Sequence, residues 1–545
     1  MQAAAQKLHQ RTAHPPTVEP DQISEANQLF ERATHHFINL LQANKYIHIL
    51  TPIELEWPNI QNALEWAYVH QRWNLLANGV LPLIQNSIWG IGFMDAMGYW
   101  QEAISLIERN LEGRDELPPL TVAILLSHLG HYYRRLDQEE KTAAFLDEAE
   151  EIITTLPDTI DKLPSLIYIY EQRAHLVGQS EPDKAIPWLI KAIQLLSKTK
   201  LTERLRFQLG YTYLQLATFL AKIGQWDQGQ KTVHQAFKLL PNSVNHSRIK
   251  GLLILSNIAA VQDNLHQRIQ YLDEAIPIAR ELRDYRSLIT LWGNLSISYK
   301  RLGKLEEALT IGKNVLSLCH RMGNIQHLIK VHVNQGQLYL RLGKYHNAWD
   351  HFTHAQENSN TFNSNQWFPL INLWFAQWKL AAGHLSEATQ LIEEVENIGF
   401  KIDQSLMPVI HRVQAEIALA NQEYGQALAL LHKAFSSFDQ HPSPIEEALC
   451  WRTQGLVFAA FHQYKGMNFA FQKSVDILTE KDYYEHAHTQ YLWAKTLWEH
   501  QRPQPNPITL LQNVIPVFEE QKAIANLHEA RLLLDKIERA QAPAH

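Results

Sequence analysis

The sequence predicts an all-α protein, a right-handed α-solenoid built from antiparallel helix pairs, and three observations lead to this fold class. The chain of 545 residues contains 22 glycines and 23 prolines, together about 8% of the chain, which is well under the usual ~12%. Apolar residues recur with the 3.6-residue period of helices. A pattern of small residues returns about every 40 residues, as in proteins built from tandem repeats.

The repeat is clearest in two segments, 292–315 and 332–355, and each reads as two helices joined at a Leu-Gly turn. Ser296 and Ala308 lie twelve residues apart and are small enough to let two antiparallel helices approach closely. Gly303 is expected to end the first helix, because glycine reaches positive φ at little cost. The position of Ser296, which we call the anchor, recurs at steps of 39 to 44 residues: Gly130, Arg173, Ala217, Ser256, Ser296, Gly336, Ala376, Ala415 and Gly455.

This pattern resembles the tetratricopeptide repeat in its long form of roughly 40 residues, and the resemblance covers about residues 115–500. It implies a superhelix of about nine helix pairs whose first helices line a concave face. Arg173 and Arg268 depart from the small-residue pattern, so distortion is expected in the second and fourth pairs. A helical solenoid is a scaffold for many kinds of partner, so the motif alone does not define a chemistry.

The segment before the repeats is expected to be helical but out of register with them, and it contains a second recognisable sequence pattern. Leu55-Glu56, Asn59-Ile60, Ala63-Leu64 and Trp66-Ala67 resemble the segment that joins the ATPase part to the repeats in bacterial STAND or NB-ARC-type regulators. The resemblance implies the C-terminal sensor region of such a regulator without its ATPase domain, because no P-loop pattern Gly-x-x-x-x-Gly-Lys-Ser/Thr occurs in the chain.

The repeats and the segments before and after them divide the chain into four predicted parts. Residues 1–22, rich in proline and polar residues, are expected to be a flexible leader. Residues 23–114 form the helical adapter, and 115–500 form the superhelix. Residues 501–545 follow the helix-breaking text QRPQPNP and are expected to cap it, since a solenoid must close its last apolar face.

Composition limits the possible partners and compartments. The net charge of −7 argues against bulk nucleic-acid binding. Cys319 and Cys450 are the two cysteines, and MQAAAQKLHQRTAHPP shows no signal-peptide pattern, so a reducing cytoplasm is expected, with both thiols free. The longest apolar runs, such as 251–261, are shorter than the roughly 18–20 residues of a membrane span.

A polar column predicts a ligand-binding groove on the first helices. Asn or Gln can hydrogen-bond a peptide backbone, and Arg or Lys seven residues further on can hold its carboxylates. Trp374 in the aromatic stretch 367–378 is a candidate anchor for a partner. The predicted groove residues are His128, Arg135, Gln215, Lys222, Asn294, Arg301, Asn334, Arg341 and Trp374.

Each of these predictions has a structural alternative. Cations just before a Leu-Gly turn are also favoured by the helix C-terminus, by about 0.3–1 kcal/mol. Aromatic residues at helical spacing are more often part of the core. The histidine pairs His128/His131 and His351/His354 lack the third ligand and the second shell that zinc requires, so packed or solvated histidine is the better interpretation.

The sequence therefore predicts a non-enzymatic scaffold or sensor that binds another protein or an extended peptide, possibly with acidic groups, on the concave face. We find no catalytic constellation, cofactor motif or metal site. By resemblance to STAND regulators, the chain is expected to act in a bacterial signalling, regulatory or defence system. Two alternatives stay open: an enzyme subunit or histidine-dependent metal hydrolase, and an RNA-binding helical repeat protein.

Overall fold

The computed structural model describes residues 20–44, 51–85, 92–157, 161–178, 180–241, 246–322, 325–361, 367–397, 404–439 and 442–541. Within these ranges the chain forms 26 α-helices and two short 3₁₀ helices, Arg114–Glu116 and Gln404–Leu406, and no β-strand. The leader predicted over 1–22 lies largely outside them.

The α-helices are α1 (Pro20–Asn44), α2 (Thr51–Val69), α3 (Trp73–Ile84), α4 (Phe93–Met97), α5 (Trp100–Leu111), α6 (Pro119–Arg135), α7 (Glu139–Thr155), α8 (Leu163–Val177), α9 (Pro182–Ser197), α10 (Glu203–Lys222), α11 (Trp226–Leu239), α12 (His246–Val261), α13 (Leu265–Glu281), α14 (Tyr285–Arg301), α15 (Leu305–Met322), α16 (Ile325–Arg341), α17 (Tyr345–Thr361), α18 (Phe368–Ala381), α19 (Leu385–Glu396), α20 (Met407–Ala420), α21 (Tyr424–Ser437), α22 (Pro444–Ala460), α23 (Tyr464–Leu478), α24 (Tyr483–Glu499), α25 (Pro507–Glu520) and α26 (Ile524–Gln541).

The chain divides into two compact units. Unit 1 comprises Met1–Gln262 and Gln270–Leu288, and unit 2 comprises Asp263–Ile269 and Ile289–His545. The boundaries predicted at residues 114 and 500 do not coincide with this division, and they stay predictions.

Unit 1 consists of an N-terminal helix cluster followed by stacked helix pairs. Helices α1, α2 and α3 pack on one another, and α5 packs on α6. The pairs are α6/α7, α8/α9 and α10/α11, and the first helix of each pair also contacts the first helix of the next, ending on α12. This is the arrangement of a tetratricopeptide-like solenoid, and it places α6, α8, α10 and α12 side by side.

Unit 2 repeats the same stacking with α16/α17, α18/α19, α20/α21, α22/α23 and α24/α25, and α26 packs on α24 and α25. The helical-repeat fold predicted from the period is therefore confirmed. Among the described residues, no helix has the length and apolarity that crossing a bilayer requires.

Small residues close each helix pair, as the spacing predicted. Ala217, Ser256, Ala376 and Ala415 at the anchor position are fully buried. In two pairs a hydroxyl also joins the helices: the Ser296 hydroxyl donates to the Ala308 carbonyl at 2.9 Å, and the Thr142 hydroxyl donates to the Gly130 carbonyl at 3.2 Å. The twelve-residue spacing thus brings a side chain of one helix onto the backbone of the other.

The anchor assigned to Arg173 is wrong by one residue. Ala174 is fully buried, whereas the Arg173 guanidinium points outward to Asp147 at 2.7 Å and to Glu150 at 2.6 Å. The steps on either side of Ala174 are then 44 and 43 residues. The second pair of helices keeps the small-residue rule, and the register change lies in its connections.

The adapter text that resembles STAND regulators forms α2 and has a structural role. Ile60, Ala63, Leu64 and Ala67 are buried, and all but Ala63 belong to the hydrophobic core of unit 1. Leu55 is 75% exposed, so only part of the text contributes to packing.

In unit 2, two of the turn glycines also touch the C-terminal helices. Gly303 and Gly343 have φ of 75° and 69°, as predicted for residues that end a first helix. A methyl group at Gly343 would meet the Cβ of Ala525 at 2.4 Å, and one at Gly303 would meet the Gln521 amide at 2.4 Å. The ends of unit 2 therefore pack against each other at these turns.

Candidate functional site

The inner face of unit 1 is the candidate functional site. Four first helices, α6, α8, α10 and α12, contribute its polar side chains because each repeat turns the same helix side to this face. We define the inner face of unit 1 by His128, His131, Arg134, Tyr168, Glu171, Gln172, His175, Tyr211, Thr212, Gln215 and Lys250.

Contacts between distant elements show that this face is the inside of a curved unit. The Asp95 carboxylate of α4 lies 3.0 Å from Arg135 of α6, 3.6 Å from His131, and 3.9 Å from Arg286 of α14. Both guanidinium groups also lie over the Trp100 ring, at 5.6 and 5.8 Å. Elements near the beginning and the end of unit 1 thus meet at one carboxylate.

Hydrogen bonds join the first helices of the inner face one to the next. The His128 ring stacks on Tyr168 at 4.4 Å, and His131 Nδ1 lies 3.0 Å from Gln172 Oε1. These contacts connect α6 with α8 by side chains alone.

The row continues from α8 to α12 in the same way. The Thr212 hydroxyl donates to Glu171 at 2.7 Å, which connects α8 with α10. Lys250 Nζ of α12 donates to Gln215 Oε1 of α10 at 2.6 Å and to the Tyr211 hydroxyl at 3.4 Å. A peptide lying along this row would meet alternating amide, hydroxyl and charged groups.

Burial controls the protonation of the inner face. It lowers the pKa of His128 to about 3, so this ring is neutral at pH 7. Burial raises the pKa of Glu171 to about 7 and lowers that of Lys250 to about 7, and each of these two groups shifts the pKa of the other back toward its ordinary value. The face therefore holds a carboxyl and an amine that both titrate near neutral pH.

One guanidinium on this face has no carboxylate within 4.0 Å in the part of the chain that the structure describes. Burial lowers the pKa of Arg134 to about 10, and its Nε is buried without a hydrogen-bond partner among the described residues. Its Nη2 lies 3.5 Å from His131 Nδ1. Asp95, by contrast, stays ionised: burial would raise its pKa, but hydrogen bonding with His131 and the charges of His131, Arg135 and Arg286 hold the pKa well below its usual range.

The structure divides the predicted groove residues between the two units. His128 and Gln215 lie on the inner face of unit 1 and are buried. Arg135 is ion-paired with Asp95. Lys222 is exposed at the last turn of α10, with its Nζ 5.3 Å from the centre of the Phe219 ring.

In unit 2, the predicted cations contact carboxylates of the same unit. Arg341 forks onto Asp482 with bonds of 2.9 and 3.1 Å and reaches Glu485 at 3.0 Å. Arg301 bonds Asp263 at 2.8 Å and donates through Nε to the Lys481 carbonyl at 2.8 Å. These two cations therefore join helices α14 and α16 to the residues at the beginning of α24, all within unit 2.

The remaining three predicted residues are less engaged. Asn294 and Asn334 are half-buried on α14 and α16. Trp374 is half-buried and packs against a core cluster that contains Phe352 and Phe375. Whether any of the nine binds a ligand stays a prediction.

Sequence reasoning missed Arg134, Glu171 and Lys250. One signal could have found Lys250. With Ala174 as the second anchor, the position six residues before the anchor holds Tyr168, Tyr211 and Lys250 in three successive repeats. This column lies nearly two helical turns before the anchor. The predicted groove residues lie in other columns, two residues before and five residues after the anchor.

Metal binding has no visible basis in the described ranges, where no group of three or more His, Cys, Asp or Glu side chains is placed to hold an ion. His351 and His354 lie beside His332, with the Nδ1 atoms of His332 and His351 3.0 Å apart. Cys319 and Cys450 are buried free thiols.

No protein-family model matches the chain, and no curated protein matches it. Among solved structures, the apo quorum sensor NprR from B. thuringiensis is 16% identical, with a TM-score of 0.48 over 71% of this chain and 98% of that one. A Rap protein complexed with Competence and Sporulation Factor is 14% identical, with a TM-score of 0.43 over 75% and 99%. A STAND protein with a tetratricopeptide repeat sensor from Pyrococcus horikoshii is 14% identical, with a TM-score of 0.41 over 62% and 49%. The chain's own stacked helix pairs define it as a helical-repeat protein of the tetratricopeptide type, without an ATPase domain in its described residues.

Proposed function

We propose that the chain is a binding scaffold that holds a peptide or an extended segment of another protein on the inner face of unit 1. The observation that carries this proposal is the continuous row of polar side chains across α6, α8, α10 and α12. A structural core would place apolar residues on this face, because burying polar groups costs free energy unless they are hydrogen-bonded.

The row suits an extended main chain. Gln172 and Gln215 stand on neighbouring first helices and carry both donors and acceptors. The Gln172 and Gln215 carbonyl oxygens already face His131 and Lys250, and a side-chain amide that is held in place loses little entropy when it binds a peptide. Peptide specificity would then come from the side chains of the ligand.

Selection of random peptides on the immobilised full chain, followed by fluorescence anisotropy with the peptides obtained, tests the proposal. Gln215→Leu should weaken binding about 3- to 10-fold, which is the effect of losing one hydrogen bond. The matched control is Gln194→Leu, because Gln194 is exposed on α9, a second helix, and it should leave affinity unchanged. Equal affinity of both variants, or failure of every peptide to bind, would contradict the proposal.

We further infer that binding serves a sensing role in a bacterial regulatory or defence system, without catalysis by this chain, in the cytoplasm. The adapter text on α2 that resembles STAND regulators supports the regulatory role, and the two free thiols support a reducing compartment. Reconstitution with a candidate effector, comparing its activity with and without the selected peptide, would test the inference. An effector that responds equally in both cases would contradict it.

A further inference from the structure

Arg134 is the first of two cations on the inner face of unit 1 that lack a counterion. No carboxylate lies within 4.0 Å of its guanidinium among the described residues, whereas the adjacent Arg135 reaches Asp95 at 3.0 Å. A buried guanidinium without an anion is costly. Such a group is retained when something outside the described residues supplies the anion.

Lys250 is the second cation. Among the described residues its Nζ bonds two neutral acceptors, Gln215 and Tyr211, and it lies 4.4 Å from the centre of the Tyr211 ring. The charge of Glu171 raises its pKa, yet no ion pair joins the two side chains within 4.0 Å, and the Glu171 carboxylate accepts from the Thr212 hydroxyl of α10.

The two cations belong to one cluster. Arg134 lies 3.5 Å from His131, whose ring centre is 6.3 Å from that of Tyr168, and Lys250 Nζ lies 4.4 Å from the centre of the Tyr211 ring. Tyr168 and Tyr211 hold the same repeat position on the contacting helices α8 and α10. The charge of Arg134 also lowers the pKa of Lys250. The two cations and the two tyrosines are half-buried, so each keeps a surface that a ligand can reach. Tyr168 and Tyr211 add two hydroxyl groups to the cluster, and hydroxyl groups bond carboxylate and phosphate oxygens well.

We propose that Arg134 and Lys250 form an anion-binding site on the inner face of unit 1, which holds one carboxylate or phosphate group of the bound ligand. This proposal deepens the proposed function and rests on it for the identity of the ligand. Arg134 supplies a planar fork for two oxygens, and Lys250 supplies a compact charge. Tyr168 and Tyr211 complete the site.

Binding at this site takes up protons. The charged groups that face Lys250 are Glu171 on α8 and Arg134 and Arg135 on α6. An added anion favours the ammonium form of Lys250 and the neutral form of Glu171, and the pKa of each is about 7 in the free chain. Both changes bind protons, so affinity for the anion should increase as the pH is lowered from 8 to 6.

The experiment compares two peptide libraries on the full chain: one with fixed Asp and Glu positions and one with Asn and Gln in their place. The acidic peptides should bind about tenfold more tightly or better, as expected for charge-assisted hydrogen bonds. Arg134→Gln and Lys250→Met should each remove most of this difference. Lys231→Met, at an exposed lysine of α11, a second helix, is the matched control and should retain it.

Two conservative variants and a calorimetric measurement distinguish loss of the anion site from misfolding of the variants. Arg134→Lys should restore part of the preference, and Tyr211→Phe should weaken acidic peptides without changing the circular dichroism. Calorimetry in two buffers of different ionisation enthalpy should detect proton uptake by the wild-type chain at pH 7.5, and less uptake by Lys250→Met. A structural role of Lys250 would not change that proton count.

The outcomes separate the two proposals. Equal binding of acidic and neutral peptides would overturn the anion site while leaving the peptide-binding function intact. Titration with inorganic phosphate forms the second arm. If phosphate binds in a way that depends on Arg134 but none of the peptides binds, the anion site is supported and the peptide function is overturned. Binding of neither probe would overturn both.

Discussion

The inner faces of the two units use similar residues and differ in what neutralises them. In unit 2, the Arg341 guanidinium forms ion pairs with Asp482 and Glu485, and Glu485 also pairs with Arg452 at 2.7 Å. In unit 1, Asp95 neutralises Arg135 but no such carboxylate reaches Arg134 in the described ranges. The column residues Arg341 and Arg135 are thus both paired within their units, whereas Arg134, next to Arg135, keeps its charge available for a ligand.

The two faces also share a smaller motif. Lys250 bonds Gln215 in unit 1, and Lys300 bonds Gln337 in unit 2. Burial lowers the pKa of both lysines to about 7. Carboxylates raise the pKa of both lysines, Glu171 that of Lys250 and Asp482 with Glu485 that of Lys300. The two carboxylates of unit 2 are also bonded by Arg341, whereas the Glu171 carboxylate of unit 1 accepts from the Thr212 hydroxyl.

The largest expected effect comes from removing the paired cation. Arg341→Gln leaves Asp482 buried without its guanidinium partner and leaves Glu485 with Arg452 alone, which costs about 3–5 kcal/mol in the free energy of unfolding. Arg134→Gln removes a cation that lacks a counterion, so it should change stability little or increase it. Hydrogen exchange in α24 and in α6, followed by mass spectrometry, measures the two units separately.

Equal destabilisation by the two substitutions would contradict the comparison between the units. Arg341→Lys is a useful intermediate, because it keeps the charge but loses the fork to two carboxylates. Its stability should lie between those of the wild-type chain and Arg341→Gln.

The sequence was sufficient to predict the helix pairs, because they depend on local information: the spacing of Ser296 and Ala308, and the turn at Gly303. It also predicted that Arg341 lies on a first helix with functional side chains. Its partner Asp482 is 141 residues away, and in the sequence it appears only as a residue before a helix. No period links the two, because closure of unit 2 depends on how many repeats complete the curve.

The site in unit 1 could be predicted only in part for a related reason. Arg135 was selected because it lies seven residues after His128, but Asp95 of α4 neutralises it. The neighbour Arg134 differs from it only in which way its side chain points on α6. Such a distinction requires the positions of elements outside the repeat.

Acid should destabilise both units as the pH falls below about 6.5, and further below about pH 4. Burial lowers the pKa of His128 and His332 to about 3, so these rings bind fewer protons in the folded state than in the unfolded state. The stability they contribute above pH 6.5 is lost as the pH falls, by up to about 1.4 kcal/mol per pH unit for each ring.

Asp95 in unit 1 and Glu485 in unit 2 add a further loss at lower pH. Burial alone would raise the pKa of Glu485, but Arg341 and Arg452 lower it to about 2, so its contribution is lost only below about pH 4.3. The pKa of Asp95 is likewise held well below its usual range. Urea midpoints at pH 7.5, 6, 5 and 3.5 measure both phases. His332→Gln should reduce the slope between pH 6.5 and 5, and His346→Gln, at a side chain that is 86% exposed, should not. Identical slopes for both variants would argue against neutral buried histidine as the cause.

Two glycines in unit 2 separate the free-energy cost of an alanine at positive φ from the cost of a close packing contact. The expected difference in stability is smaller than for the preceding substitutions. Gly343 and Gly383 both have positive φ, 69° and 83°, so Ala costs about 1–2 kcal/mol at either position. A Cβ at Gly343 would also meet Ala525, whereas nothing lies within 4 Å at Gly383. Gly343→Ala should therefore lower the free energy of unfolding by about 1–3 kcal/mol more than Gly383→Ala, measured by urea denaturation. Equal losses would show that the contact with Ala525 relaxes freely.

The smallest effect is expected at Lys222, where the two interpretations of the cation column can be separated. Lys222 has the same place in its repeat as Arg135, but it is exposed in the last turn of α10, where a positive charge is favoured by about 0.3–1 kcal/mol through the helix dipole. Lys222→Gln should lower the free energy of unfolding by no more than this amount, and less in 0.5 M salt, because screening weakens exposed charges. Anisotropy with an acidic peptide should show less than a twofold change in affinity. A tenfold loss of affinity would instead place Lys222 in the binding site, and the column five residues after the anchor would then bind ligand in unit 1 as the sequence predicted.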